Sequence, residues 1–205
     1  MQFQADGRNA SLIRLIAGGR VMHLGFADHG PLIASKRAQG TWLHDQVMAH
    51  SAACIGVDIN AEAVALAQGL GVPNLHGLDV FSPEFAELAT QFAPTHVLLP
   101  DVLEHLRDPR PLLTLLPQFL NDSGCVLMSL PNASHLSVVA SLMAGRFPYQ
   151  SKGLLDTTHL RFFGRDDIDA LLQALTLDDE AFSSYVRLNA QFHGLLGQLS
   201  GSPML

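Results

Sequence analysis

The residues of this chain best suited to chemistry are carboxylates and histidines that fall directly after short apolar runs. Asp58 follows the run 53–57, Asp79 follows 75–78, Asp101 and Glu104 follow 96–99, and Asn132 follows 125–130. In an open parallel sheet, ligands bind outside the carboxyl ends of the strands, so groups at those ends carry the most weight. A carboxylate such as Asp58 accepts hydrogen bonds from two vicinal ribose hydroxyls. It can instead cap the helix that begins near Ala61, although Asn60 is better placed for that. His105, His135 and His159 stand after strands or in a long loop. An imidazole titrates near the working pH and can take a proton from an acceptor hydroxyl. Asp156 lies just before His159, where a carboxylate orients the ring. The chain has 10 histidines, so most serve no chemistry.

These groups need elements to hold them. Apolar runs bounded by Gly, Asp, Asn or Pro alternate with segments of helical period, which predicts βα units and a doubly wound, mostly parallel α/β sheet. Strands are expected over 21–24, 53–57, 75–78, 96–99 and 125–130. Helices are expected over 61–68, 112–120, 134–143 and 166–174. After the first strand, Gly25-Phe26-Ala27-Asp28-His29-Gly30 forms a glycine-rich turn with Ala27 in a glycine's place. The following helix is expected only near Trp42. A loop of that length is unlike the tight dinucleotide turn of NAD enzymes. The stretch 145–164 has no clear period and reads as a lid or acceptor loop. An edge strand is expected over 182–188, and the tail 194–205 is expected to be loose. The whole of 1–205 reads as one domain.

Composition narrows the partners. The 205 residues carry 12 basic against 19 acidic side chains, a net charge of −7, which disfavours nucleic acid. No run approaches the ~20 apolar residues of a membrane span, and 1–8 lacks the apolar core of a signal peptide. Cys54 and Cys125 form no CxxC pair and read as small buried hydrophobes. A cytoplasmic location is expected.

Five segments together resemble the class I S-adenosylmethionine-dependent methyltransferases. They are Val21-Met22-His23-Leu24-Gly25, Cys54-Ile55-Gly56-Val57-Asp58-Ile59, Asp101-Val102-Leu103-Glu104-His105-Leu106, Pro131-Asn132, and Gly153-Leu154-Leu155-Asp156-Thr157-Thr158-His159-Leu160-Arg161-Phe162-Phe163. The likeness covers most of 19–174. It is closest to the branch found beside sugar and polysaccharide biosynthesis enzymes, and at one motif to the ubiquinone-type O-methyltransferases. It implies a seven-stranded, Rossmann-like sheet binding S-adenosylmethionine, with the methionine part over Gly25 and the turn through Ala27. Asp58, with Ile59, would hold the ribose, Asp79 and Val80 would flank the adenine, and 99–101, ending at Asp101, would pass beneath the methionine end. The chain departs from the pattern at His23, where an acidic residue is usual, and at Ala27.

The expected activity is methyl transfer to a hydroxyl of a small molecule or glycan precursor, O- ahead of N-methyl transfer. The expected base is one of His159, His105 and His135, with Asp156 as orienting partner. Each has a plainer reading: Glu104 and His105 beginning a helix, His135 starting another, Asp156 with His159 and Arg161 clamping the loop. Glu104 with His105 offers a divalent cation two ligands; two do not make a site, and no metal is expected. Phe147, Tyr149, Phe162 and Phe163 are read as core ahead of an acceptor pocket, and Arg146 and Arg161 suit an anionic acceptor group. Two rivals remain: a non-catalytic binding or regulatory module of the same fold with a degenerate glycine loop, and a nucleotide-dependent oxidoreductase, which lacks a full GxGxxG here.

Overall fold

A computed structural model describes residues 7–27, 30–121, 124–147 and 149–178. The strands are β1 (Arg20–Leu24), β2 (Ala53–Asp58), β3 (Leu75–Gly77), β4 (His96–Pro100) and β5 (Cys125–Ser129). They pair in parallel in the order β3-β2-β1-β4-β5, with Leu24 beside Val57 and Pro100 beside Ser129. The order reverses at β1, whose neighbours are β2 and β4, and there the loops part to opposite faces and open a crevice. The doubly wound sheet expected from the sequence is present. The edge strand expected over 182–188 and the tail 194–205 lie outside the described residues.

The helices are α1 (Arg8–Ile16), α2 (Ile33–Ala38), α3 (Leu43–His50), α4 (Ala61–Gly69), α5 (Pro83–Phe92), α6 (Arg110–Leu115), α7 (Leu136–Met143) and α8 (Arg165–Asp178). Alternation along the strands sends their side chains to two layers. Met22, Leu24, Ile55, Val57, Val97 and Leu99 meet Phe85, Leu112, Leu113 and Leu172 from α5, α6 and α8. Val21, Leu98 and Leu127 meet Leu12, Ile16 and Val47 from α1 and α3. Phe26, Trp42, Ala63, Val64 and Leu75 close a third cluster beside them.

Several boundaries differ from the sequence reading. The chain turns helical well before Trp42, through a 3-10 turn at Gly30–Leu32 and then α2, because buried Ile33 anchors a helix too short to show a period. The helix expected over 112–120 splits into α6 and a 3-10 turn at Leu116–Phe119. Pro117 lacks an N–H and its ring collides with the carbonyl one turn back. α1 and α5 were not anticipated, although Ser82 caps α5 by accepting from the Phe85 N–H at 3.2 Å and Pro83 sits at its first position, a recognisable start. Asn60 caps α4 as expected, its side chain accepting from the Ala63 N–H at 3.1 Å. Among the described residues, 145–164 contains no helix or strand, only the isolated bridge Gln150–Asp156 and one joining Phe163 to Asn132.

Candidate functional site

The crevice has two halves. On the β1–β2 side, Gly25 takes φ +68°, and a Cβ on it would lie 2.6 Å from Val102 Cγ2. Both the left-handed backbone and the close approach therefore require glycine. Ala27 is fully buried, and its methyl packs beneath the rim with Ile33 and Ala63, so the missing glycine does not crowd the crevice. Its N–H donates to Asp58 Oδ2 at 3.1 Å, and the Asn60 N–H donates to Oδ1 at 2.9 Å. Asp58 is half-buried at the strand end, and with α4 capped by Asn60 it is not needed as a cap. Each carboxylate oxygen keeps a lone pair for a further donor.

Ile59 is exposed beside it. Further along, Asp79 is exposed and fixes the next turn by accepting from the Phe81 N–H at 2.9 Å, with Val80 half-buried behind. Asp101 adopts φ +53°, a conformation rare outside glycine and concentrated at functional sites. Its N–H donates to the Ser129 carbonyl at 2.9 Å, and its carboxylate pairs with Arg8 from α1. Arg8 was not singled out in the sequence, where nothing marks it as reaching the rim.

His23, at the position where the resemblance places an acid, is sealed in the core. Its Nδ1 lies 3.0 Å from Nδ1 of His44, also buried, with Phe26 and Trp42 around His44. Burial, and then the two rings' mutual repulsion, hold His23 well below the usual imidazole range. Burial, with Arg37 nearby, brings His44 to about 4. Both are neutral near pH 7 and belong to the fold. Cys54 and Cys125 are likewise core groups, and burial pushes the Cys54 thiol up to about 12.

The other half of the crevice, beyond β4, is built around a 3-10 turn at Leu103–His105. Glu104 is 1% exposed, and neither of its carboxylate oxygens has a hydrogen-bond partner. Burial, with Asp101 adding repulsion, pushes its carboxyl up to about 7. The segment 153–163 folds onto this turn, its Leu160 and Arg161 N–H groups donating to the Glu104 carbonyl at 2.8 and 3.1 Å. The Arg161 side chain donates to the Arg107 carbonyl, with Nε at 2.7 Å. That anchoring brings His159 to His105, ring centroids 5.0 Å apart and nearly perpendicular. His105 Nδ1 lies 3.3 Å from the Thr158 carbonyl, and His159 Nδ1 is buried without a partner. Burial, then His105, lowers the His159 pKa, while Asp156 opposes the shift. One donor atom from each of Glu104, His105 and His159 lies within 4.8 Å of the others.

The structure brings together two of the three histidines singled out in the sequence. His135 instead caps α7, its Nδ1 accepting from the Ser137 N–H at 3.2 Å. Asp156 is buried and shapes the His159 turn, Oδ1 accepting from Thr158 N–H at 2.8 Å and Oγ1 at 2.7 Å. Asn132 turns the chain after β5 by accepting from the Ser134 N–H at 2.9 Å. Of the four aromatics, only Phe163 is core. Phe147 and Tyr149 are exposed and gather on Phe162, which stands 6.2 Å from His159. Arg146 is exposed. One surface hollow is lined by Phe81, Asp108 and the Arg110 to Gln118 stretch, and another, between the start of α6 and α8, by Asp108, Arg110, Arg161, Phe162 and Asp167.

A methyltransferase domain family model matches residues 9–180. Among solved structures, the plantazolicin methyltransferase BpumL in complex with a triazolic desmethylPZN analog and SAH is similar at 18% identity and TM-score 0.51, over 89% of this chain and 70% of that one. BpumL in complex with SAH alone aligns at 16% identity and TM-score 0.53, over 90% of this chain and 72% of that one. A proposed methyltransferase of Bacillus halodurans C-125 aligns at 14% identity and TM-score 0.53, over 97% and 87%. At these identities the likeness carries the fold. No curated protein sequence matches the chain.

Proposed function

The chain belongs to the methyltransferase domain family, and from that premise we propose that it transfers the methyl group of S-adenosylmethionine to a hydroxyl on a small molecule or glycan precursor. The observation that carries this reading is the Asp58 carboxylate, held at the switch point of the sheet by the N–H groups of Ala27 and Asn60, with a lone pair left on each oxygen. Vicinal ribose hydroxyls match that pair of acceptors, and the sterically enforced Gly25 turn lets the backbone come close beside them. The exposed Ile59 side chain, with Val80 and Asp79, offers an apolar wall and a polar edge for an adenine. Asp101, held by Arg8 and Ser129, lies under the methionine end.

When bound, the cofactor supplies a carbon already activated by its sulfonium. What the chain must add is alignment at near-attack distance and a place for the acceptor's proton. Glu104, His105 and His159 are gathered on the acceptor side, with Asp156 shaping the turn that presents His159. The exposed Phe147 and Tyr149, with half-buried Phe162, edge the approach to them, and Arg146 suits an acceptor phosphate. The glycan-precursor class rests on the likeness of the 153–163 segment to the sugar-linked branch, and the long aperiodic stretch 145–164 would serve as the lid. No helix among the described residues is long and apolar enough to cross a membrane.

Calorimetry with S-adenosylmethionine and S-adenosylhomocysteine tests the reading. Saturable binding of both is expected. An absence of heat at millimolar cofactor would overturn it in favour of a non-catalytic module, and binding of NAD in their place would point to an oxidoreductase.

A further inference from the structure

A buried carboxylate is tolerated when it is hydrogen-bonded, paired with a cation or protonated. Glu104 is shut from solvent with both oxygens bare, and among the described residues no Lys or Arg forms an ion pair with it. Arg8, the cation on this rim, is taken up by Asp101. What stands near Glu104 is a pair of imidazoles, one of them turned by a backbone carbonyl. Thr158 faces His105 Nδ1, which places the proton there and leaves Nε2 as an acceptor. The His159 ring folds against His105, and its Nδ1 is buried and unpartnered among the described residues. An imidazole steered by a carbonyl on one nitrogen, with the other left to accept, is the arrangement that metal-ligating histidines show, and His105 has it.

We propose that Glu104, His105 and His159 bind one divalent transition-metal cation on the acceptor side of the crevice. Their donor atoms lie within 4.8 Å of one another, a span that small side-chain rotations close around an ion with bonds of ~2.0–2.2 Å. Two nitrogens and one carboxylate suit Zn²⁺ over the oxygen-seeking Mg²⁺ and Ca²⁺, and Mn²⁺ serves as a paramagnetic probe of the same ligands. Three protein ligands leave a position open, so an acceptor oxygen can reach the ion directly. The two histidines then act as ligands rather than bases; the ion would lower the pKa of the acceptor hydroxyl, whose proton passes to solvent water as the oxygen takes the methyl group. This role in catalysis rests on the methyl-transfer reading above; the binding of the ion does not.

The test uses the metal-stripped full-length chain without cofactor. Zn²⁺ is titrated by calorimetry, and Mn²⁺ by loss of the free-ion signal in electron paramagnetic resonance. Saturation at a site that Glu104→Gln and His159→Ala each weaken at least tenfold is expected, with Asp58→Ala and the exposed-surface variant His50→Ala unchanged. Glu104→Gln keeps the side-chain shape and replaces a buried acid with a neutral amide, so it is expected to melt close to the wild-type temperature, which separates ligand loss from unfolding. Uptake equal in wild type, Glu104→Gln and His159→Ala, or no saturable uptake at millimolar metal, would overturn the proposal. A chain that binds S-adenosylhomocysteine but no metal loses this inference alone. One that binds metal but no S-adenosylhomocysteine loses the cofactor assignment and keeps the site.

Discussion

The two halves of the crevice solve opposite problems. On the β1–β2 side the carboxylate of Asp58 is already committed to two backbone donors, and the turn that supplies one of them is locked by a glycine that no other residue can replace. On the far side of β4, Glu104 is buried with neither oxygen hydrogen-bonded to another described residue, beside two imidazoles. The first half is finished before any ligand arrives, so binding there costs little reorganisation. The second half is left electrostatically incomplete, which raises the energy of the empty protein and rewards whatever group completes it. A fold alone has no use for that incompleteness, and it marks the half where chemistry is expected.

The largest effect that would sharpen this contrast comes from its unsatisfied side. Glu104→Gln is expected to lower turnover on the order of 10²- to 10³-fold, and His159→Ala by a comparable factor, while cofactor affinity stays within twofold. Measured kcat and a separate calorimetric Kd would show it, and normal turnover in either variant would make the cluster structural. On the satisfied side, Asp58→Ala should cost about 1–3 kcal/mol of cofactor binding, the scale of hydrogen bonds to a charged group. Unchanged affinity would remove Asp58 from the ribose.

A third prediction concerns the core under the crevice. His23 and His44 are held neutral in the fold, so the unfolded chain binds more protons once the pH falls below about 6.5. Stability is therefore full above that pH and is lost as the solution is acidified toward about 4. The contribution of His44 has an upper bound of roughly 3 kcal/mol. Melting temperatures across that window should fall less steeply for His44→Phe, and an unaltered slope would mean that the pair is not what titrates. The smallest effect is expected from His135→Ala, which removes the α7 cap at a cost of ~1 kcal/mol and leaves turnover near wild type. A loss of turnover matching that of His159→Ala would return His135 to the acceptor site.

The sequence carried unequal amounts of this picture. Asp58 was legible because its chemistry is local: a strand, a carboxylate and a cap, Asn60, lie within a few residues, and the polar contacts they make are to nearby backbone. Ala27 looked like a defect because a sequence records which residue stands in a turn and not which way its methyl points. Buried against Ile33 and Ala63, it costs the rim nothing. His23 looked like a lost acid and proved to be half of a core pair with His44, a contact across the sheet layer that no local pattern announces. The aromatics were misjudged the other way. An aromatic cluster near a loop is more often core, yet only Phe163 is core, since whether a ring in an aperiodic loop is covered depends on what packs over it.

What the amino-acid order fixed by itself was the alternation of strand and helix, the acidic groups at strand ends and the glycine at the first turn, because these follow from backbone sterics and hydrophobic period over a few residues. Tertiary structure alone decided that Glu104 would be sealed without a partner and that His159 would be brought to it. That meeting depends on the 153–163 segment donating two backbone N–H groups to the Glu104 carbonyl. Backbone hydrogen bonds between distant segments leave no mark in side-chain pattern, so the acceptor half of the crevice exists only once the chain has folded.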